Sequence, residues 1–166
     1  MRQLELGLLF FMMTIPAMAA GNHTGGHGDH PGSHGEKLAV GEPGQISAVS
    51  RTVEVRMMET DDGRMIFIPN NFQFDTGQTV RFAIKNDGAI DHEFVLDDER
   101  NILEHKAIME DNPDLAHDDP NAVRLQPGQT GEIVWSFSNE GVFKVACLLP
   151  GHYDAGMYGD VVVSRQ

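Results

Sequence analysis

"GVFKVACLLPGHYDAGMYGDVVV", Gly141–Val163, reads as two short β-strands joined by a loop with an uncommon set of side chains. Val142–Ala146 and Val161–Val163 are apolar, β-branched runs of strand length. Between them stand Cys147, His152 and Met157, which offer a thiol, an imidazole and a thioether within one loop. Cys147 is the only cysteine of the chain, so it closes no internal disulfide. Its thiol is then free, paired between chains, catalytic or bound to metal.

The regions upstream repeat the strand pattern. Thr52–Met58 and Met65–Ile68 flank "ETDDGR", in which Asp62-Gly63 is a hairpin signal. Thr79–Lys85 follows the turn "DTGQ", and Glu93–Leu96 and Gly131–Phe137 continue the series. About seven short strands punctuated by Gly, Pro, Asn and Asp argue an all-β fold, an antiparallel sandwich. One acidic segment, Asp97–Gln129, interrupts the rhythm. In it Ile102, Leu103, Ala107 and Met109 line one side of a short helix, with Asp98 as its cap and Pro113 as its stop. The remainder of that segment reads as loop.

The first residues carry a basic start, an apolar run from Leu6 to Ile15 and an Ala-x-Ala exit at Ala17–Ala19, the pattern of a cleaved export signal over residues 1–19. The run is shorter than the roughly 20 residues a membrane-spanning helix needs. The expected product is a soluble exported protein with no membrane anchor. Residues 20–44 form a tail whose first part, "GNHTGGHGDHPGSHGE", is rich in Gly and His and holds no large apolar residue, which predicts a flexible segment. Residues 45–166 are the expected folded domain. The formal charge of −13 excludes nucleic acid as a natural partner, because phosphate binding needs a basic footprint. An exported thiol also meets an oxidising compartment and needs protection, which metal ligation would give.

If Cys147 ends the strand from Val142, Pro150-Gly151 turns the chain so that His152 and Met157 point back toward the thiol. Two imidazoles and a thiolate in a plane, with a weak methionine on the axis, suit a copper ion that cycles between Cu(I) and Cu(II). The loop supplies one imidazole. The second candidate is His92 in "DHEFVL", at the start of an expected strand. The competing readings are a buried small hydrophobe, or a Cys nucleophile with a His base, and neither accounts for Met157 and His92 together. Zinc takes Cys and His but is poorly served by a thioether.

The stretches "FIPNNFQFDTGQTVRFAIKN", "DHEF", "LQPGQTGEIVWSF" and "GVFKVACLLPGHYDAGMYGDVVV" resemble the cupredoxins, the family of plastocyanin, azurin, pseudoazurin and rusticyanin, from about Ile46 to Ser164. The resemblance implies a Greek-key β-sandwich with one type 1 copper, and His92, Cys147, His152 and Met157 match the family's His, Cys, His and Met. The Cys-x4-His-x4-Met spacing is similar to that of rusticyanin. Glu93 stands where plastocyanin and azurin carry an asparagine that helps tie the two ligand segments together.

The tail adds His23, His27, His30 and His34, which could gather around a further copper ion. Met57, Met58 and Met65 flank the expected hairpin and, like His105, His117 and Met109, are expected to pack rather than to bind metal. The leader, the tail, the acidic charge and the inserted segment together resemble the periplasmic copper-tolerance cupredoxins of the CopI type. That resemblance implies a periplasmic copper-binding protein contributing to copper tolerance, with copper ions and a redox partner, copper exporter or oxidase as its contacts; a small soluble sandwich is expected to be a monomer. The alternative is a diffusible electron carrier for a respiratory or photosynthetic chain. A copper oxidase or nitrite reductase would need a second cluster with His-x-His or His-Cys-His patterns, so no enzyme is expected.

Overall fold

The computed structural model describes residues 38–113 and 119–165; the expected export signal, the histidine-rich stretch and His117 lie outside the described residues. Among the described residues, ten strands and one α-helix, with a short 3-10 turn at Ile46–Ala48 between the first two strands, follow in the order β1 (Glu42–Pro43), β2 (Arg51–Glu59), β3 (Met65–Ile68), β4 (Asn71–Asp75), β5 (Thr79–Asn86), β6 (His92–Asp97), α1 (Glu99–Asp111), β7 (Ala122–Leu125), β8 (Thr130–Ser136), β9 (Gly141–Ala146) and β10 (Tyr158–Ser164). They form two five-stranded sheets, β1-β8-β5-β2-β3 and β4-β10-β9-β6-β7. The chain changes sheet after β3, β4, β5, β7 and β8, as a Greek-key sandwich requires.

Period-two alternation builds the inner faces. Val53, Val55 and Met57 of β2 are buried, with exposed Glu54 and Arg56 between them. Val80, Phe82 and Ile84 do the same on β5. The Phe82 ring lies 5.4 Å from that of Phe94 on β6, which joins the two sheets across the core. Phe74 of β4 stacks on Phe137 at 4.7 Å. Met57 is therefore a core residue, as expected for a thioether in this pattern.

The antiparallel expectation needs correction. β2 pairs with β5 in parallel and β4 with β10 in parallel; neither pair is joined by a hairpin, and the intervening strands supply the long crossover that a parallel pair needs. Three strands were not anticipated. β4 was hidden beside the Asn70-Asn71 turn signal, although Phe72 and Phe74 alternate correctly. β7 falls in the segment read as acidic loop, and its four residues owe their strand state to pairing with β6, His92 against Leu125. β1 has only two residues and pairs with β8.

The inserted helix has the expected cap: the Asp98 side chain accepts a hydrogen bond from the Asn101 N–H, and the helix ends at Asp111 ahead of Pro113. Its buried face is narrower than expected. Ile102 and Met109, two turns apart, are buried, whereas Leu103 and Ala107 are exposed. The helix packs against β6 and β9, and all six residues of β6 are buried.

The sandwich also takes in residues ahead of position 45. Val40 is fully buried and its carbonyl accepts a hydrogen bond from the Trp135 indole N–H at 3.2 Å. A chain beginning at residue 45 should lose about 3 kcal/mol relative to one beginning at residue 38, from one buried valine and one buried indole hydrogen bond. Urea denaturation of the two proteins measures this.

Candidate metal centre

The loop between β9 and β10 is closed by its own backbone. The Cys147 N–H donates to the Met157 carbonyl at 3.0 Å, Met157 N–H to the His152 carbonyl at 3.1 Å, and His152 N–H to the Leu149 carbonyl at 3.0 Å. Gly151, with φ of +84°, makes the reversal that side-chain-bearing residues resist. Cys147 follows directly on β9, so the strand fixes its position at one end of the sandwich.

His92 opens β6, and β6 pairs with β9 so that Val95 lies opposite Ala146. This register carries His92 across to the loop. His92 Nδ1 lies 3.2 Å from His152 Nδ1, and His152 Nδ1 lies 3.2 Å from Cys147 Sγ. The three donor atoms fall within 4.8 Å of one another. His92, Cys147 and Met157 are fully buried, and His152 alone of the four reaches the surface, at 9 % exposure. Met157 closes the loop beside Cys147 through its backbone and has a fully buried side chain. All four residues expected from the sequence thus come to the same end of the fold.

Glu93 makes the tie that the missing asparagine left open. Its backbone N–H donates to Cys147 Sγ at 3.3 Å, and its carboxylate accepts from the Leu148 backbone. Asn86, fully buried, fixes the loop before His92: its amide donates to the Ile90 and Leu125 carbonyls and its oxygen accepts from Gly88 N–H. Tyr153 of the loop stacks on Tyr158 of β10 at 4.8 Å, and Lys106 of α1 reaches Asp154 of the loop at 3.2 Å. The inserted helix therefore braces the ligand loop.

Burial sets the protonation of the cluster. It pushes the Cys147 thiol up to about 12, against the opposing pull of the Glu93 and Leu149 N–H groups. It also lowers both imidazoles below their ordinary value; the charge of His92 adds to this at His152, and the Glu59 carboxylate opposes it at His92. At neutral pH the metal-free cluster is two neutral imidazoles and one protonated thiol. Soft sulfur and imidazole together select copper over magnesium or calcium.

A profile of the copper binding proteins of the plastocyanin/azurin family matches residues 53–164. The chain belongs to this family. Among the relatives of this cupredoxin is the copper-resistant cuproprotein CopI of Rubrivivax gelatinosus, 43% identical over 154 residues, covering 92% of this chain and 90% of that protein. A protein of the same name from Pseudomonas aeruginosa is 33% identical over 160 residues, with 79% and 84% covered. The fold is similar to that of reduced auracyanin from Roseiflexus castenholzii, with a TM-score of 0.57 at 24% identity over 69% of this chain and 98% of that one. Family and cluster together support a type 1 copper site.

Glu93 stands out in the sequence as a departure, though without indication of its two contacts, and Glu59, which lies 3.1 Å from His92 Nε2, is not among the expected site residues. The alternation Val53, Val55, Met57, Glu59 was the available signal, since it places a carboxylate on the core-facing side.

Burial raises the Glu93 carboxyl from 4.5 to about 7, with the Leu148 N–H pulling the other way. The folded metal-free protein then holds this proton more tightly than the unfolded chain. Its contribution to stability is complete below 4.5 and is lost as pH rises through about 7. The loss amounts to roughly 3 kcal/mol at 1.36 kcal/mol per pKa unit. Urea denaturation of copper-free protein at pH 4.5 and pH 8 should show this fall, and Glu93→Gln should remove most of it.

Proposed function

We propose that His92, Cys147 and His152 would hold one redox-active copper, with Met157 as a weaker fourth donor, and that this cupredoxin contributes to copper tolerance in the periplasm. The observation that carries the reading is the convergence of three buried donors from two distant segments at one end of the sandwich. Two relatives named copper-resistant cuproproteins, matched over most of their length, support the tolerance role.

When bound, copper supplies a one-electron couple to this site. The chain does the rest. Burial keeps both imidazoles neutral and so available as donors, and the Glu93 N–H at 3.3 Å stabilises negative charge on the sulfur once its proton has left. Leu148 and Leu149, buried in the ligand loop, and Phe94, buried two residues beyond His92, keep this end of the sandwich apolar. His152, the one partly exposed member, is the natural contact for an electron donor or acceptor. Ligands fixed on a sandwich and a self-closed loop change little between oxidation states, which favours rapid transfer.

Oxidised, copper-loaded protein should show an intense thiolate-to-copper charge-transfer band, and Cys147→Ser should abolish it; persistence of the band would exclude the thiolate as ligand. A strain lacking the protein should lose growth in excess copper. Normal growth there combined with a respiratory defect would instead favour an electron carrier.

Met157→Leu should leave copper bound and raise the reduction potential, because loss of a thioether donor disfavours Cu(II). Voltammetry of the variant checks this, and an unchanged potential would remove Met157 from the ligand set.

A further inference from the structure

β2 turns Val53, Val55 and Met57 to the core, and the same alternation brings Glu59, its last residue, to that side at the metal end. The carboxylate is engaged on both oxygens. Oε2 accepts from the Ala89 N–H at 2.9 Å; Oε1 accepts from the Ile90 N–H at 3.1 Å and lies 3.1 Å from His92 Nε2. An ionised carboxylate only accepts, and a neutral imidazole carries one N–H. The proton of His92 is therefore on Nε2, and its Nδ1 lone pair faces His152 and Cys147. Gly88 leaves room for the pair. A Cβ at that position would lie 2.6 and 2.9 Å from the two Glu59 oxygens and 2.9 Å from His92 Nε2.

We propose that Glu59 is a positioning residue for the copper site: it holds His92 in the tautomer and orientation that present Nδ1 to the metal, and its negative charge favours Cu(II) over Cu(I). The proposal rests on the ligand set given above. Carboxylate–histidine–metal relays of this kind fix ring orientation and raise ligand basicity, and their removal costs about 10- to 100-fold in metal affinity or activity. A role limited to stapling residues 88–90 would show in stability alone.

The test uses the full chain and three variants, Glu59→Gln, Glu59→Ala and Gly88→Ala. In metal-free protein, long-range 1H–15N correlation reads the His92 tautomer directly. Wild type should show Nε2–H alone, and Glu59→Ala and Gly88→Ala should show a mixture. In copper-loaded protein, Glu59→Gln should lower the Cu(II)-to-Cu(I) affinity ratio about tenfold, which raises the potential by about 59 mV. Gly88→Ala, which changes no charge and remains informative if a Glu59 variant fails to fold, should raise it too.

Wild-type tautomer and potential in folded variants with only a lower melting temperature would overturn the proposal. If wild type itself bound no copper, the copper reading would fail. The metal-free tautomers would then still decide whether Glu59 controls His92.

Discussion

The hydrogen bond from the Glu93 backbone to Cys147 Sγ, together with the Glu93 carboxylate's contact to Leu148, joins the start of β6 to the end of β9. Without that junction the two ligand segments would be neighbours in one sheet but not parts of one site. The antiparallel register of β6 and β9 brings them within reach, and Glu93 fixes the final approach. The rest of that end of the molecule is arranged around this contact: the self-closed loop, the Asn86 brace behind Ile90 and the Lys106 link from α1.

The same junction places ionisable groups where they are poorly solvated. His92, Glu93 and Cys147 are buried against an apolar core, and burial drives each toward its neutral form. Neutral imidazoles are the form that binds metal, so this cost to the fold prepares the site. The thiol is the exception. It must lose a proton to become a ligand, and its neighbours supply the compensation as N–H donors from Glu93 and Leu149. A stable, apolar sandwich core, crossed by the Phe82 and Phe94 contact, is what allows one end to carry this burden.

The inserted helix serves the site although it contributes no ligand. Ile102 and Met109 seat it on β6 and β9, the two strands that lead to His92 and Cys147. Lys106 then reaches over to Asp154 in the ligand loop and lies 6.0 Å from the Tyr153 ring centre. An acidic insertion that looked like an interruption of the sandwich is a buttress for its metal end.

Local signals were legible wherever neighbouring residues alone set the structure. The Asp62-Gly63 hairpin, the Asp98 cap, the alternation of β2 and β5, and the ordering of Cys147, His152 and Met157 in one loop all depend on spacings of a few residues. β4, β7 and the partners of His92 were not legible in that way. A four-residue strand such as Ala122–Leu125 exists because β6 offers it unpaired backbone groups, and Glu59 meets His92 only because β2 ends beside the loop that precedes β6. The sequence by itself determined which donor atoms this protein can offer a metal and that three of them share one loop, because loop chemistry is local. Only the tertiary structure decided how His92, already named from the sequence, reaches them, that Glu93 completes the junction and that Glu59 holds the outer nitrogen of the ring, because sheet register brings together residues whose separation along the chain carries no information about their distance in space.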